Sequence, residues 1–202
     1  MAYEIIDCPQ GSNEWFQARL GIPTASMFSA VLAKGEGKTR RAYMNKLAAE
    51  IITGEPGESF TTPAMERGKI MEDDARNYYA FQTNADPVRV GFVKGEAAGW
   101  SPDSLLGSDG ALEIKTQRGD LLIETILSNT FPSEHKAQCQ GGLWIGEREW
   151  IDLCVYWPRM PVFVKRAYRD EPYIKALATE VATFNEQLAE LVEKLQNIGA
   201  VA

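Results

Sequence analysis

The sequence predicts an α/β (α+β) fold in one domain, and three observations carry that prediction. Residues 1–85 are mainly helical in their periodicity, residues 86–168 switch to strand-like alternation, and residues 170–197 form one long helical run. The 202 residues, 45% of them apolar, suit one compact core. No internal repeat or low-complexity tract divides the chain, so a single unit over residues 1–202 is expected.

The elements follow in order. "GSNEWFQARLG" (11–21) predicts a short helix capped by Ser12 or Asn13 and closed by Gly21. "TASMFSAVLA" (24–33) predicts a second. In "TRRAYMNKLAAEIITGE" (39–55), Tyr43, Leu47 and Ile51 recur every four residues, and Gly54 is the stop. In "TPAMERGKIMEDDARNYYAFQ" (62–82), Thr62 caps, Pro63 takes the first turn, and Gly68 suggests a close approach to another backbone. "PVRVGFV" (87–93) and "GALEIKT" (110–116) alternate as strands, with the turn-rich "SPDSLLGSDG" between them. "SEHKAQCQGGLWIG" (133–146) predicts a helix from Ser133. "EWIDLCVYWP" and "PVFVKRAY" predict a hairpin of strands. In residues 171–196, Ile174, Leu177, Val181, Phe184, Leu188, Leu191 and Leu195 follow a heptad, which suits packing within the domain or between subunits.

Bulk composition limits function. The N-terminus lacks the basic start and apolar run of a secretory signal, and no apolar stretch nears the roughly 18 residues of a membrane span. Cys8, Cys139 and Cys154 are odd in number and scattered. That suits free thiols in a reducing compartment and argues against a four-cysteine zinc or iron–sulfur site. The net charge of −7 argues against nucleic acid on average, yet Lys34, Lys38, Arg40, Arg41 and Lys46 concentrate basic charge in one segment that could follow a duplex backbone.

The chemistry concentrates in "SPDSLLGSDGALEIKT" (101–116). On a strand, Glu113 and Lys115 point to one face, and Asp103 in the preceding turn can reach it. Converging carboxylates repel unless a cation neutralises them, and oxygen-only donors suit Mg²⁺ or Mn²⁺. Such a cation makes a nucleophile of water, and the lysine can orient that water, stabilise charge at phosphorus, or act as base if its pKa is lowered. The pattern therefore points to hydrolysis of a phosphodiester. Glu72 offers a third carboxylate from a helix. Gln138 and Gln140 offer amides for water or phosphate. Arg19, Thr24 and Ser26 can form an anion pocket. His135 is the single histidine, which leaves little basis for multi-histidine or Ser/His catalysis.

The series "EWFQARLGIPTAS", "RGKIMEDDA", "SPD", "LEIK" and "AQCQ", in that order over residues 12 to 160, resembles the bacteriophage lambda exonuclease group of viral recombination nucleases, within the PD-(D/E)xK superfamily. The resemblance implies a restriction-endonuclease-like core, with a mixed central sheet flanked by helices. It implies that Asp103, Glu113 and the Ile114 backbone carbonyl hold two Mg²⁺ ions, with Mn²⁺ as a substitute. It further implies that Lys115 positions the water, that Glu72 and Gln138 assist, and that Arg19, Ser26 and Ser101 bind a 5′-phosphate. Arg118 is a further candidate phosphate contact. His135 stands where related chains carry an aromatic, which leaves its role open.

The implied activity is 5′-to-3′ digestion of one strand of linear double-stranded DNA to mononucleotides, leaving a 3′ overhang. The implied partners are two further copies in a ring-shaped homotrimer and a single-strand annealing protein. The implied setting is the bacterial host cytoplasm, for a phage or prophage gene product with no membrane association. The alternatives are a structure-specific endonuclease of the same fold and a non-catalytic DNA-binding recombination protein.

Overall fold

The computed structural model of the protein describes residues 3–33, 37–57 and 63–199. The expected cap Thr62 and the basic Lys34 lie outside them. The elements are β1 (Glu4–Ile6), α1 (Asn13–Ala18), α2 (Phe28–Val31), α3 (Lys38–Thr53), α4 (Pro63–Thr83), β2 (Pro87–Val88), β3 (Phe92–Lys94), β4 (Gly99–Trp100), β5 (Ser104–Leu106), β6 (Gly110–Thr116), α5 (Gly119–Ser128), α6 (Lys136–Ile145), β7 (Trp150–Tyr156), β8 (Phe163–Tyr168) and α7 (Glu171–Gly199).

Two sheets form. One has the order β1-β3-β4; the larger has the order β2-β5-β6-β7-β8. Within the larger sheet β6 and β7 run parallel and the other neighbours antiparallel. A parallel pair needs a crossover connection, and α5 and α6 supply it. Strand β6 is central and buried over Gly110–Ile114, so its functional side chains project into covered space.

The helices depart little from expectation. Ser12 caps α1 by accepting from the Trp15 amide at 3.2 Å. The stretch 24–33 divides into a single 3-10 turn, Ala25–Met27, and α2. Gly54 ends α3 in the left-handed region, as a residue without Cβ can at no steric cost. Tyr43 and Leu47 are buried as expected. Ile51 is partly exposed, because it sits beyond the core and lies against Gly21. Arg40 is drawn inward: its guanidinium donates to Val31 O and Gln187 Oε1, so it joins α3 to α7 rather than facing solvent. At Gly68, among the described residues a Cβ would meet the Thr116 hydroxyl, at 3.4 Å; that neighbour is a side chain in ordinary contact, not a backbone.

The strands needed more correction. "PVRVGFV" splits between two sheets, as β2 and β3, because the chain bends at residues 89–91. The turn-rich stretch holds a strand, β5, which forms a tight hairpin with β6 through Gly107, whose φ of +57° places it in the left-handed region. Helix α5 and strand β1 were not anticipated. The residue 133–135 stretch is a 3-10 turn ahead of α6.

Helix α7 packs within the chain. Ile174, Leu177, Val181, Phe184 and Leu188 are buried against α2, α3 and α6, with the Phe184 ring stacked on Tyr43 at 5.7 Å. After Leu188 the buried position passes to Val192, and Leu195 is 42% exposed. A straight helix drifts away from a strict seven-residue repeat, so a 3.6-residue stripe, not a heptad seam, describes this face. Cys8, Cys139 and Cys154 are free and buried. Among the described residues no helix is long and apolar enough to cross a membrane.

Candidate active site

The site begins where β5 and β6 part. Their ladder pairs Leu106 with Gly110, Leu105 with Ala111 and Ser104 with Leu112, and then stops. Pro102 has no N–H with which to extend it. The Ile114 amide instead donates to Asp103 Oδ2 at 2.5 Å. The backbone on the Asp103 side is held by side chains. Gln10 Nε2 donates to Pro102 O at 2.8 Å and to Val90 O at 3.0 Å. Ser104 Oγ donates to Asp103 O at 2.6 Å, and Arg76 Nη2 donates to the same oxygen at 3.2 Å. Asp103 is thus fixed at the mouth of the gap.

Glu113 and Lys115 share one face of β6, and α6 brings Gln138 against them. Glu113 is only 2% exposed. Its Oε1 lies 2.7 Å from Lys115 Nζ and accepts from Gln138 Nε2 at 2.5 Å. Lys115 Nζ donates to Gln138 Oε1 at 3.1 Å, which closes a three-membered ring of contacts. The other carboxylate oxygen, Glu113 Oε2, is buried with no hydrogen-bond partner among the described residues. Such an orphan is costly unless a ligand satisfies it.

The electrostatics follow from this crowding. Burial pushes Asp103 well above the usual aspartate range, and the charges on Glu113 and Glu72 push it further; the Ile114 amide and Lys115 oppose them. Burial pulls Lys115 down, but Glu113 and Asp103 together outweigh it and leave the ammonium more basic than usual. That favours a charged, orienting role over the role of a base with lowered pKa.

Glu72 comes from α4 and faces Asp103 across a cleft of about 690 Å³, whose lining includes Trp15, Lys69, Glu72, Arg76, Arg89 and Asp103. Glu72 Oε1 is engaged by Arg76. His135 ends the 3-10 turn one helical turn before Gln138. Burial, and then the Lys115 charge, lower its pKa, so it stands neutral within the field of the site. Gln140 is not available to a ligand in the same way: its amide spans Tyr168 O and the Asp170 amide, at 2.8 Å each, where β8 meets α7.

The expected phosphate pocket is brought together only in part. Arg19 Nη1 and Trp15 Nε1 each donate to Ser101 Oγ at 2.9 Å, and the Arg19 guanidinium stacks on the Trp15 ring at 3.9 Å. Ser26 is exposed, and its side chain reaches Thr24 Oγ1 at 3.4 Å, not Arg19. Arg118 is exposed and pairs with Asp120 at the start of α5. Three residues of this neighbourhood escaped the sequence reading: Arg76, Gln10 and Trp15. The spacing Glu72-x-x-x-Arg76, a favourable helical ion pair, was the available signal for the first. Trp15, one turn before Arg19, was the signal for stacking.

Residues 14–149 match the YqaJ-like viral recombinase domain. Among solved structures, LHK-Exo in complex with dAMP aligns with a TM-score of 0.86 and 33% identity, covering 94% of this chain and 98% of that one. A second structure of LHK-Exo, an alkaline exonuclease from Laribacter hongkongensis, aligns with a TM-score of 0.85 over the same shares at the same identity. A phage related exonuclease from Haemophilus somnus 129PT shares the fold at 10% identity, with a TM-score of 0.66 over 86% of this chain and 96% of its own. No curated protein matches the chain. The mixed-sheet core is that of PD-(D/E)xK-type exonucleases.

Proposed function

The chain belongs to the YqaJ-like viral recombinase family, whose role is that of a nuclease in recombination, and on that premise we propose that it is a Mg²⁺-dependent 5′-to-3′ exodeoxyribonuclease. It digests one strand of linear double-stranded DNA to 5′-phosphorylated mononucleotides and leaves a 3′ overhang for annealing. The observation that carries the reading is the ring formed by Glu113, Lys115 and Gln138, with one buried Glu113 oxygen unsatisfied among the described residues.

The donor set fits a hard cation. Asp103 and Glu113 supply oxygens, and the Ile114 carbonyl faces the same strand edge as its amide, towards Asp103. Among the described residues no group of three or more His, Cys, Asp or Glu side chains is arranged to hold a metal. Two carboxylates and a carbonyl are nonetheless the sparse protein share that Mg²⁺ accepts, since it retains several waters. Bound here, two Mg²⁺ ions, or Mn²⁺ in their place, would polarise the scissile phosphate and lower the pKa of the attacking water.

The remaining work falls to the chain. Lys115 orients the water and offsets charge developing at phosphorus, while Gln138 fixes Lys115 and Glu113 together. Glu72 adds a carboxylate from across the cleft. Arg19 and Ser101 hold the terminal 5′-phosphate, Ser26 supplies a further hydroxyl to it, and Arg118 contacts the strand further back. These are phosphate contacts, which position a strand without reading it, so little sequence preference follows.

Matched duplexes test the reading. With Mg²⁺, a linear 5′-phosphorylated duplex releases mononucleotides, its 5′-hydroxyl counterpart releases them more slowly, and a closed circle is untouched. Arg19→Ala lowers the preference for phosphate by about 10- to 100-fold, the worth of a charge-assisted hydrogen bond of about 1.5–3 kcal/mol. Cleavage of the circle would replace this reading with an endonuclease. Duplex binding without cleavage in Mg²⁺ or Mn²⁺ would replace it with a DNA-binding recombination protein.

A ring-shaped homotrimer, a single-strand annealing partner and action in the bacterial host cytoplasm for a phage or prophage belong to the same reading, supported by family likeness. Sedimentation at working concentration should show the trimer; a monomer alone would remove it.

A further inference from the structure

The cleft is lined by a buried cation, Arg76, that the reaction described above does not use. Arg76 is 7% exposed, and each of its three guanidinium nitrogens donates a hydrogen bond. Nε donates to Ser104 Oγ at 2.9 Å and Nη1 to Asp73 Oδ1 at 2.8 Å. Nη2 serves both Glu72 Oε1 and the Asp103 carbonyl oxygen. Ser104 is itself completely buried and donates to that carbonyl. One guanidinium therefore ties the Glu72 turn of α4 to the backbone of Asp103, through two routes.

We propose that Arg76 is a positioning residue that sets Glu72 and Asp103 relative to each other and thereby determines how tightly the site holds divalent cations. The inference rests on the metal-nuclease reading. Glu113 and Glu72 both act electrostatically on Asp103, from the β6 side and the α4 side. On the β6 side Lys115 offsets them; on the α4 side Arg76 does. A lysine at position 76 cannot reproduce the arrangement. It presents one nitrogen at one point, whereas three separate nitrogens of the guanidinium reach Ser104, Asp73 and the Glu72–Asp103 pair. A residue that merely glued α4 to the sheet would affect melting temperature and leave cation affinity alone.

The test measures Mn²⁺ binding to the DNA-free protein by titration calorimetry, for wild type, Arg76→Lys and Ser104→Ala. Wild type binds Mn²⁺, and Arg76→Lys binds it about 10- to 100-fold more weakly, the usual effect of removing a residue that orients a metal ligand. Ser104→Ala weakens it in the same direction. Raising Mg²⁺ restores cleavage by Arg76→Lys towards the wild-type rate, and its preference for a 5′-phosphate is unchanged. Where Arg76→Lys folds, wild-type Mn²⁺ affinity in that variant overturns the proposal. Where it does not fold, wild-type affinity in Ser104→Ala overturns it. A wild-type protein that binds no Mn²⁺ would remove the metal-nuclease reading and this inference together; a wild-type protein that binds it, beside unaffected variants, removes this inference alone.

Discussion

Replacing Lys115 by Met is expected to lower turnover by about 10²- to 10⁴-fold, the range for a group that assists proton transfer or stabilises transition-state charge. Met keeps the bulk of the stem and removes the ammonium. The substitution takes away the group 2.7 Å from Glu113 Oε1 and the donor to Gln138. The proposed phosphate contacts, Arg19 and Ser101, bond each other and not Lys115. Duplex binding, measured by fluorescence anisotropy with Ca²⁺ in place of Mg²⁺, should therefore stay within a few-fold of wild type. Near-normal single-turnover cleavage would deny Lys115 its role, and lost binding would move the role from chemistry to substrate capture.

Asp103→Asn is expected to cut cleavage severely and yet raise stability in the absence of divalent cations. The loss is on the order of 10³-fold, because a bound cation supplies several kcal/mol to the transition state. The gain in stability comes from removing a carboxylate whose charge is disfavoured first by burial and then by Glu113 and Glu72. An Asn oxygen can still accept from the Ile114 amide.

The pH dependence has a definite sign. The folded chain holds Asp103 above its unfolded pKa, so it favours the protonated form. That contribution is complete below the ordinary aspartate range and is lost as pH rises through the raised folded value. In EDTA the variant should melt above wild type at pH 8, and the gap should close as the pH falls towards the ordinary aspartate range. Adding Mn²⁺ at pH 8 should raise the wild-type melting temperature and leave that of the variant nearly unchanged. A variant that melts below wild type at pH 8 in EDTA would show that the three carboxylates do not strain the fold.

What the sequence disclosed depended on length of pattern. Helices α3, α4 and α7 and strands β6, β7 and β8 span six to 29 residues, enough for periodicity to register. Strands β1 and β4 are three and two residues long, too short for alternation to register, and β1 pairs with a partner distant in sequence; β3 registered only as the end of the alternating run 87–93. Strand β5 is buried at every position and shows no alternation, and its turn-rich flanks masked it.

Within the site, Glu113 and Lys115 were legible because one strand imposes their spacing, Asp103 because it ends the Pro-Asp turn before β5, and Gln138 because it lies on α6. The Arg76 fork was not, since it connects residues 27 and 28 positions apart through a backbone carbonyl and a hydroxyl. Ser26 failed to meet Arg19 for a related reason: the residue 24–27 stretch turns as a 3-10 segment rather than opening a regular helix, and Ser26 engages Thr24 instead.

The parting of β5 from β6 has one further consequence. Unpaired backbone at a sheet margin is a template on which another chain can add a strand, and exposed templates of this kind seed aggregation. Here the ladder ends at a proline, and side chains claim the groups beyond it. Asp103 takes the Ile114 amide, Gln10 takes Pro102 O, and Arg76 and Ser104 take Asp103 O. The molecule thereby keeps an opening in its largest sheet beside the candidate site but offers an invading strand no continuous register to copy.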